Sequence, residues 1–186
     1  MRGGGNRTGE CVRVLGIDPG TAVTGWGVVE GRPGAFRHVA HGTVVTSPRS
    51  SLPAKLTRIH AELVEHCGAW RPDALALEKS FVGRNVQSAF RLGEVRGVAM
   101  LAAAAAGVPV IEYSPAEVKL AVTGSGRAEK TQVELAIARE LALVGRLPPD
   151  AADALALALC HLQTFRLRAL LAAADRPPAR PRVRVR

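Results

Sequence analysis

Three apolar segments rich in β-branched residues follow one another in the first quarter of the chain, separated only by turns that contain glycine or proline. Strands joined by such short connections pair in antiparallel fashion, because a parallel crossover needs a dozen or more residues. The sequence therefore predicts a three-stranded antiparallel meander. Its predicted strands are Cys11–Asp18, Thr24–Glu30 and Arg37–Val45.

Helices and strands alternate over the remainder of the chain. Apolar residues recur at helical spacing after Leu52, and short apolar runs between such segments are typical of buried strands. A meander followed by this alternation predicts an α/β fold with a mixed sheet and helices on both faces. The predicted helices are Leu52–Trp70, Gln87–Ala106, Pro115–Val122, Glu129–Leu143 and Asp150 to about Leu171, and the predicted strands are Ala74–Glu78 and Val108–Tyr113.

The formal net charge of +9 favours a polyanionic partner, either nucleic acid or an anionic membrane surface. Residues 172–186 carry five arginines and are predicted to form a disordered basic tail, and residues 1–10 a flexible Gly-rich extension. Residues 11–171 are predicted to form one domain. Three cysteines without metal-ligand spacing, and no secretion signal or membrane span, favour the cytoplasm.

Four acidic residues stand where this layout would bring them together. Asp18 and Glu78 each end a predicted strand, and Asp150 and Asp153 lie three residues apart at the start of the last helix. Clustered carboxylates repel one another unless a cation neutralises them, and hard oxygen ligands suit Mg²⁺ or Mn²⁺. Two such ions would support hydrolysis of a phosphodiester.

Each acid also has a purely structural explanation. Asp18 could open the turn at Pro19-Gly20, and Asp150 could cap the last helix with Asp153 in its first turn. Glu78 closes an apolar strand, which is uncommon for an acid without a partner.

Four segments resemble, in order, the signature segments of the RuvC family of Holliday-junction resolvases, which belongs to the ribonuclease-H-like superfamily. They are VLGIDPGTAVTGWGVVE, ALEKSFVGRNVQSAFRLGEVRGVA, VKLAVTGSGRAEKTQV and DAADALALALCH, spanning about Val12 to Leu162. The resemblance implies a five-stranded mixed sheet. It also implies a four-carboxylate site for two Mg²⁺ ions, with Mn²⁺ as a substitute, in an enzyme of DNA recombination and repair.

The resemblance assigns residues to this site. Asp18, Glu78, Asp150 and Asp153 match the family's metal-binding acids, one of which is a histidine in some members. Lys119 and Lys130 match lysines near the cleaved phosphate, although exposed lysines are usually only solvated. Phe81, Arg84 and Asn85 match or adjoin residues that contact junction DNA; a phenylalanine folded onto the core and a helix cap are the structural alternatives for Phe81 and Asn85.

The resemblance also implies partners. Family members form two-fold dimers through the long helix, here with the small residues Gly97, Ala103 and Ala104, and work with a branch-migration motor of the RuvA and RuvB type on four-way junction DNA. The implied reaction is a pair of symmetric nicks in strands of like polarity, leaving 5′-phosphate and 3′-hydroxyl ends. We expect His161 to pack inside the protein, since eight residues separate it from Asp153 along a helix.

Two other functions remain open on the sequence. The GIDPGT segment also resembles the first phosphate loop of actin-like phosphotransferases, although the chain is short for their two lobes. A structure-selective DNA-binding protein without catalytic activity would also explain the basic charge, although the presence of all four acids argues against it.

Overall fold

The computed structural model describes residues 11–32, 34–79 and 86–174. The predicted Gly-rich extension and nearly all of the predicted arginine-rich tail lie outside these residues. So do Phe81, Arg84 and Asn85. No helix in the described ranges is long and apolar enough to span a bilayer.

Five strands form one mixed sheet in the order β3-β2-β1-β4-β5. The first three strands pair antiparallel, and β4 and β5 extend the sheet in parallel with β1, which confirms the predicted fold class. The elements in chain order are β1 (Val12–Asp18), β2 (Val23–Arg32), β3 (Ala35–Val45), α1 (Leu52–Trp70), β4 (Ala74–Glu78), α2 (Val86–Ala105), β5 (Val110–Tyr113), α3 (Pro115–Thr123), α4 (Lys130–Glu140) and α5 (Pro149–Ala174).

Helices cover both faces of the sheet, as predicted. On one face, α3, α4 and α5 pack over Val14, Val29 and Ala76. On the other face, α1 and α2 pack over larger side chains, among them Leu15, Ile17 and Leu75. Successive residues of a strand point to opposite faces, so neighbouring residues of β1 belong to different cores.

Several element ends differ from the predictions for local reasons. β5 begins at Val110 and not at Val108, because Pro109 has no N–H to donate to a sheet ladder. α4 ends at Glu140, and Ala142 just beyond it adopts a left-handed backbone with φ of 49°.

The start of α5 corrects the prediction for Asp150. The helix begins at Pro149, whose fixed φ suits the first helical position, so Asp150 lies in the first turn and is not the N-cap. Asp153 lies beyond the first turn. α5 also continues to Ala174, past the predicted domain end at residue 171.

Candidate active site

The register of two parallel strands brings Asp18 and Glu78 together. β1 and β4 are hydrogen-bonded neighbours, and Ile17 pairs with Leu77. Asp18 and Glu78 are the next residues of the two strands, so both carboxylates lie at the same edge of the sheet. The structure therefore confirms the prediction that the Asp18 and Glu78 carboxylates lie at one edge of the sheet.

Three glycines allow α5 to lie directly on the sheet. Gly25 is the cross-strand partner of Asp18, and a Cβ at Gly25 would overlap the backbone of Asp150. A Cβ at Gly16 would overlap the carbonyl group of Ala154, and one at Gly27 would lie 2.7 Å from the side chain of Leu155. The first turns of α5 consequently reach the edge where Asp18 lies.

A cavity of about 280 Å³ opens at this edge. Three of the four predicted acids line it, together with both predicted lysines: Asp18, Glu78, Asp153, Lys119 and Lys130. Apolar residues of α3, α4 and α5 form much of the remaining wall, including Val118, Val133 and Leu157. Asp150 is not among the lining residues, although its negative charge acts on Asp18.

Burial and neighbouring carboxylates raise the pKa of Asp18 to about 7. Burial is the largest cause, and the charges of Asp153, Glu78 and Asp150 follow in that order, opposed by Lys130. Glu78, Asp150 and Asp153 are therefore within electrostatic reach of Asp18, although 135 positions separate Asp18 from Asp153 in the chain.

The same balance acts on Glu78 and Lys130. Burial and the charge of Asp153 raise the pKa of Glu78, while Arg96 and Lys130 oppose that rise. The Lys130 ammonium donates to Asp153 Oδ2 over 2.6 Å, and this hydrogen bond raises the pKa of Lys130. A cation, here an ammonium, already compensates part of the clustered negative charge.

Comparison with known proteins identifies the family. The family model described as crossover junction endodeoxyribonuclease RuvC matches residues 14–161. The RuvC of Syntrophomonas wolfei is 45% identical over 161 residues, which cover 86% of this chain and 94% of that protein. This chain belongs to the RuvC family.

Solved structures of Thermus thermophilus RuvC are similar to this chain. The free protein is 39% identical with a TM-score of 0.77, and the protein in complex with Holliday junction substrate is 38% identical with a TM-score of 0.81. Each comparison covers 84% of this chain and 96% of the Thermus chain. The predicted ribonuclease-H-like fold is thus confirmed.

Membership in the RuvC family also confirms the predicted function, a nuclease that resolves Holliday junctions in recombination and repair. Dependence on a divalent cation follows from the family. The actin-like phosphotransferase suggested by the GIDPGT segment is correspondingly ruled out.

The acid cluster of this RuvC-family chain fits a divalent metal by its chemistry. Its donors are carboxylate oxygens, which Mg²⁺ and Mn²⁺ prefer, and mutual repulsion of these donors contributes to the raised pKa of Asp18. Among the described residues, no three acidic, histidine or cysteine side chains are close enough to share one ion as they stand. Lys130 contacts Asp153 Oδ2, so its ammonium and a cation would compete for the charge of this carboxylate.

Sequence reasoning missed an ion pair behind Glu78. Arg96 of α2 donates to Glu112 of β5, and Arg96 is only 8% exposed. Glu112 is in register with Leu77, and the guanidinium charge of Arg96 opposes the rise in the pKa of Glu78. The available signal was one charged residue of opposite sign in each of two apolar segments, VRGVA and VIEY.

Two further predictions concern residues away from the cavity. His161 is buried, and its Nδ1 lies 2.8 Å from the Tyr113 hydroxyl, so it packs in the core as predicted. Ala103 is fully buried and belongs to the core between α2 and the sheet, whereas Gly97 and Ala104 are exposed. Ala103 is therefore excluded from the outward face of α2 that the resemblance linked to dimerisation.

Proposed function

We propose that this chain resolves four-way DNA junctions as a cytoplasmic homodimer that requires Mg²⁺. Two active sites cut two strands of like polarity symmetrically and leave 5′-phosphate and 3′-hydroxyl ends for a ligase. The observation that carries this proposal is the convergence of Asp18, Glu78 and Asp153 around one cavity, with Asp150 in electrostatic reach.

In this proposal Asp18, Glu78, Asp150 and Asp153 hold two Mg²⁺ ions, with Mn²⁺ as a substitute. Such a pair supplies an activated water and stabilises the leaving oxygen during in-line attack on a phosphodiester. The protein fixes the acids on two strand ends and one helix, which are rigid elements. Rigid placement matters because misplacing a reacting group by about 1 Å can cost about 10²-fold in rate.

Lys119 and Lys130 line the same cavity from α3 and α4. Their ammonium groups would offset the charge that builds up on the phosphoryl oxygens in the transition state. Lys130 has a second effect, because its 2.6 Å contact neutralises Asp153 before substrate and metal arrive. We infer that Lys130 moves from Asp153 to the phosphate when the cation binds.

The outward face of α2 supports the proposed dimer. Phe90 and Leu101 are 69% and 61% exposed, and the small residues Gly97 and Ala104 lie on the same side of the helix. Single exposed apolar residues are ordinary, whereas a stripe along one helix is typical of an interface. A two-fold dimer would present two identical cavities to a symmetric junction.

The remaining contacts are proposed on the resemblance alone. Phe81 would stack on a base at the junction centre, with Arg84 and Asn85 beside the DNA. A branch-migration motor of the RuvA and RuvB type would deliver the junction.

A junction-cleavage assay with the variant Asp18→Asn tests the proposal. The amide removes a metal-binding charge and leaves the basic surface intact, so junction binding should persist while nicking falls by roughly 10³-fold or more, equivalent to about 4 kcal/mol. Glu65→Gln is the matched control, because Glu65 is an exposed acid on α1, and it should nick like wild type.

Three outcomes would contradict the proposal. Full activity of Asp18→Asn would remove that residue from the site. Binding of the junction by wild type without nicks would favour the inactive DNA-binding protein. Cutting of linear duplex as fast as the junction would indicate a general nuclease.

A further inference from the structure

A second polar cavity lies beside the turn that follows Asp18. Its volume is about 220 Å³, and it is formed by three segments: the β1–β2 turn, the start of α1 with the loop before it, and α2. The lining residues are Thr21, Pro48, Ser50, Leu52, Lys55 and Arg91. We refer to it as the Lys55–Arg91 cavity.

Among the described residues that line the Lys55–Arg91 cavity, the two charged side chains are both positive. Neither Lys55 nor Arg91 forms an ion pair with any acid in the described residues. The first turn of α1 contains no acidic residue. Two cationic side chains with the hydroxyl-bearing residues Thr21 and Ser50 are the donors that a phosphate group accepts from.

Hydrogen bonds fix this cavity relative to the active site. The Thr46 backbone N–H donates to the Ala22 carbonyl over 2.9 Å, and the Thr46 hydroxyl donates to the Thr21 carbonyl over 2.6 Å. The Thr24 hydroxyl donates to the Gly20 carbonyl over 2.7 Å, which closes the turn itself. The segment that carries Pro48 and Ser50 is thereby tied to the turn that begins at Asp18.

One residue that lines the cavity, Thr21, is close to Asp18 along the chain. Thr21 follows Asp18 by three residues, so their Cα atoms are at most about 11 Å apart. Phosphates of one DNA strand are spaced by about 3.4 Å along the helix axis. The Thr21 side of the Lys55–Arg91 cavity therefore lies within roughly three nucleotides of a phosphodiester held at the acids.

The two basic groups flank the acids from opposite faces of the sheet. Lys119 and Lys130 come from α3 and α4, on the face that α5 covers, whereas Lys55 and Arg91 come from α1 and α2, on the other face. A strand that passes over the sheet edge at Asp18 would meet both groups.

We propose that the Lys55–Arg91 cavity binds a backbone phosphate of the strand being cut, within three nucleotides of the cleavage site. This inference rests on the proposed function, and it makes Lys55 and Arg91 positioning residues. They hold the strand across the edge of the sheet and do not touch the reacting atoms.

The test is the double variant Lys55→Gln/Arg91→Gln in the full chain, compared with Arg58→Gln/Arg139→Gln. The control removes the same charge from two exposed arginines, one on α1 and one on α4. Junction affinity is measured from 50 to 200 mM salt. The slope of log K against log salt is negative, and loss of one phosphate contact should reduce its magnitude by about 0.9. Binding should weaken about tenfold at low salt, and the control should keep the wild-type slope.

A second measurement locates the phosphate. Neutral methylphosphonates replace, one at a time, the three phosphates on each side of the cleavage site. Wild type should lose affinity at one of these positions, and the Lys55→Gln/Arg91→Gln variant should be insensitive at that same position, because the partner charges are already gone.

The outcomes separate this inference from the proposed function. A wild type that nicks junctions, with a double variant whose salt slope equals that of the control, would overturn the Lys55–Arg91 cavity as a phosphate site. Equal methylphosphonate sensitivity of wild type and double variant at every position would do the same. A wild type that binds but never nicks would overturn the proposed function instead.

Discussion

The two faces of the central strands differ in the size of their side chains, although the same strands supply both, with alternate residues on each face. On the α5 face, β1, β2 and β4 present glycine or alanine near the active-site edge, including Gly16, Gly25 and Ala76. On the α1 and α2 face they present Leu15, Ile17 and Leu77. The comparison teaches that small residues lie where a helix must approach closely to deliver acids, and large residues where packing alone is required.

The first prediction adds side-chain volume to the α5 face of the sheet. Gly25→Val should push α5 away from the sheet, because even a Cβ would overlap the backbone of Asp150. Displacement by about 1 Å should lower nicking by roughly 10²-fold while junction binding persists. Gly25→Ala should show a smaller loss in the same assay. Wild-type nicking by both variants would show that α5 does not need this close contact.

The second prediction removes side-chain volume from the face of the sheet that α1 and α2 cover. Leu15→Ala should lower the free energy of unfolding by about 2–5 kcal/mol, because Leu15 is fully buried between the sheet and its helices. Nicking per folded molecule should stay within a few-fold of wild type, since the acids are not on this face. Urea unfolding together with the cleavage assay measures both. A 10³-fold loss of nicking with little change in stability would break the distinction between the two faces.

The third prediction concerns the carboxyl group of Asp18, at the active-site edge of the α5 face. Without metal, the Asp18 carboxyl has a pKa of about 7 in the folded chain and 3.8 as its ordinary value. Asp18 therefore contributes stability below pH 4 that is lost as pH rises through 7. At pH 8 in EDTA, Asp18→Asn should be more stable than wild type by about 2–4 kcal/mol, and the difference should shrink towards pH 4.

Added Mg²⁺ provides the control for this prediction. The cation should stabilise wild type at pH 8 much more than Asp18→Asn, since binding to the folded state alone raises stability. Both proteins are unfolded with urea at pH 4.5 and pH 8 in EDTA, and again at pH 8 with Mg²⁺. A difference between the two proteins that is the same at both pH values would contradict the raised pKa.

The smallest predicted effect is that of a glycine on α1 that no other part of the chain within the described residues approaches closely. Gly68 lies on the exposed side of α1, and a Cβ there would meet no atom within 4 Å. Gly68→Ala should therefore stabilise the protein by about 0.5–1 kcal/mol and leave nicking unchanged. Destabilisation, measured by urea unfolding, would mean that glycine contacts in this fold are not described by local space alone.

Element types and their order were predictable from the sequence because each strand and helix carries its own local signal. The meander followed from β-branched runs and turns, and the adjacency of Asp18 and Glu78 followed from strand ends in a parallel pair. The sequence could not show whether α5 begins at Pro149 or is capped by Asp150, since proline suits the first helical position and aspartate suits the N-cap.

Contacts between distant elements were the part that local signals could not supply. The glycines of GWG read equally well as weak strand residues, and only the packed structure shows α5 lying on them. Arg96 and Glu112 are ordinary polar residues until the fold buries Arg96 behind Glu78. The exposed and buried sides of α2 likewise needed the tertiary structure, as Ala103 demonstrates.

Crystals of the wild type grown with Mn²⁺ and a four-way junction test the central claim most directly, through the anomalous scattering of the metal. The account predicts two manganese peaks in the cavity, roughly 3.5–4 Å apart, contacted by the carboxylates of Asp18, Glu78, Asp150 and Asp153. Peaks held by other residues, or no peak in this cavity in crystals whose junction is nevertheless cut, would contradict it.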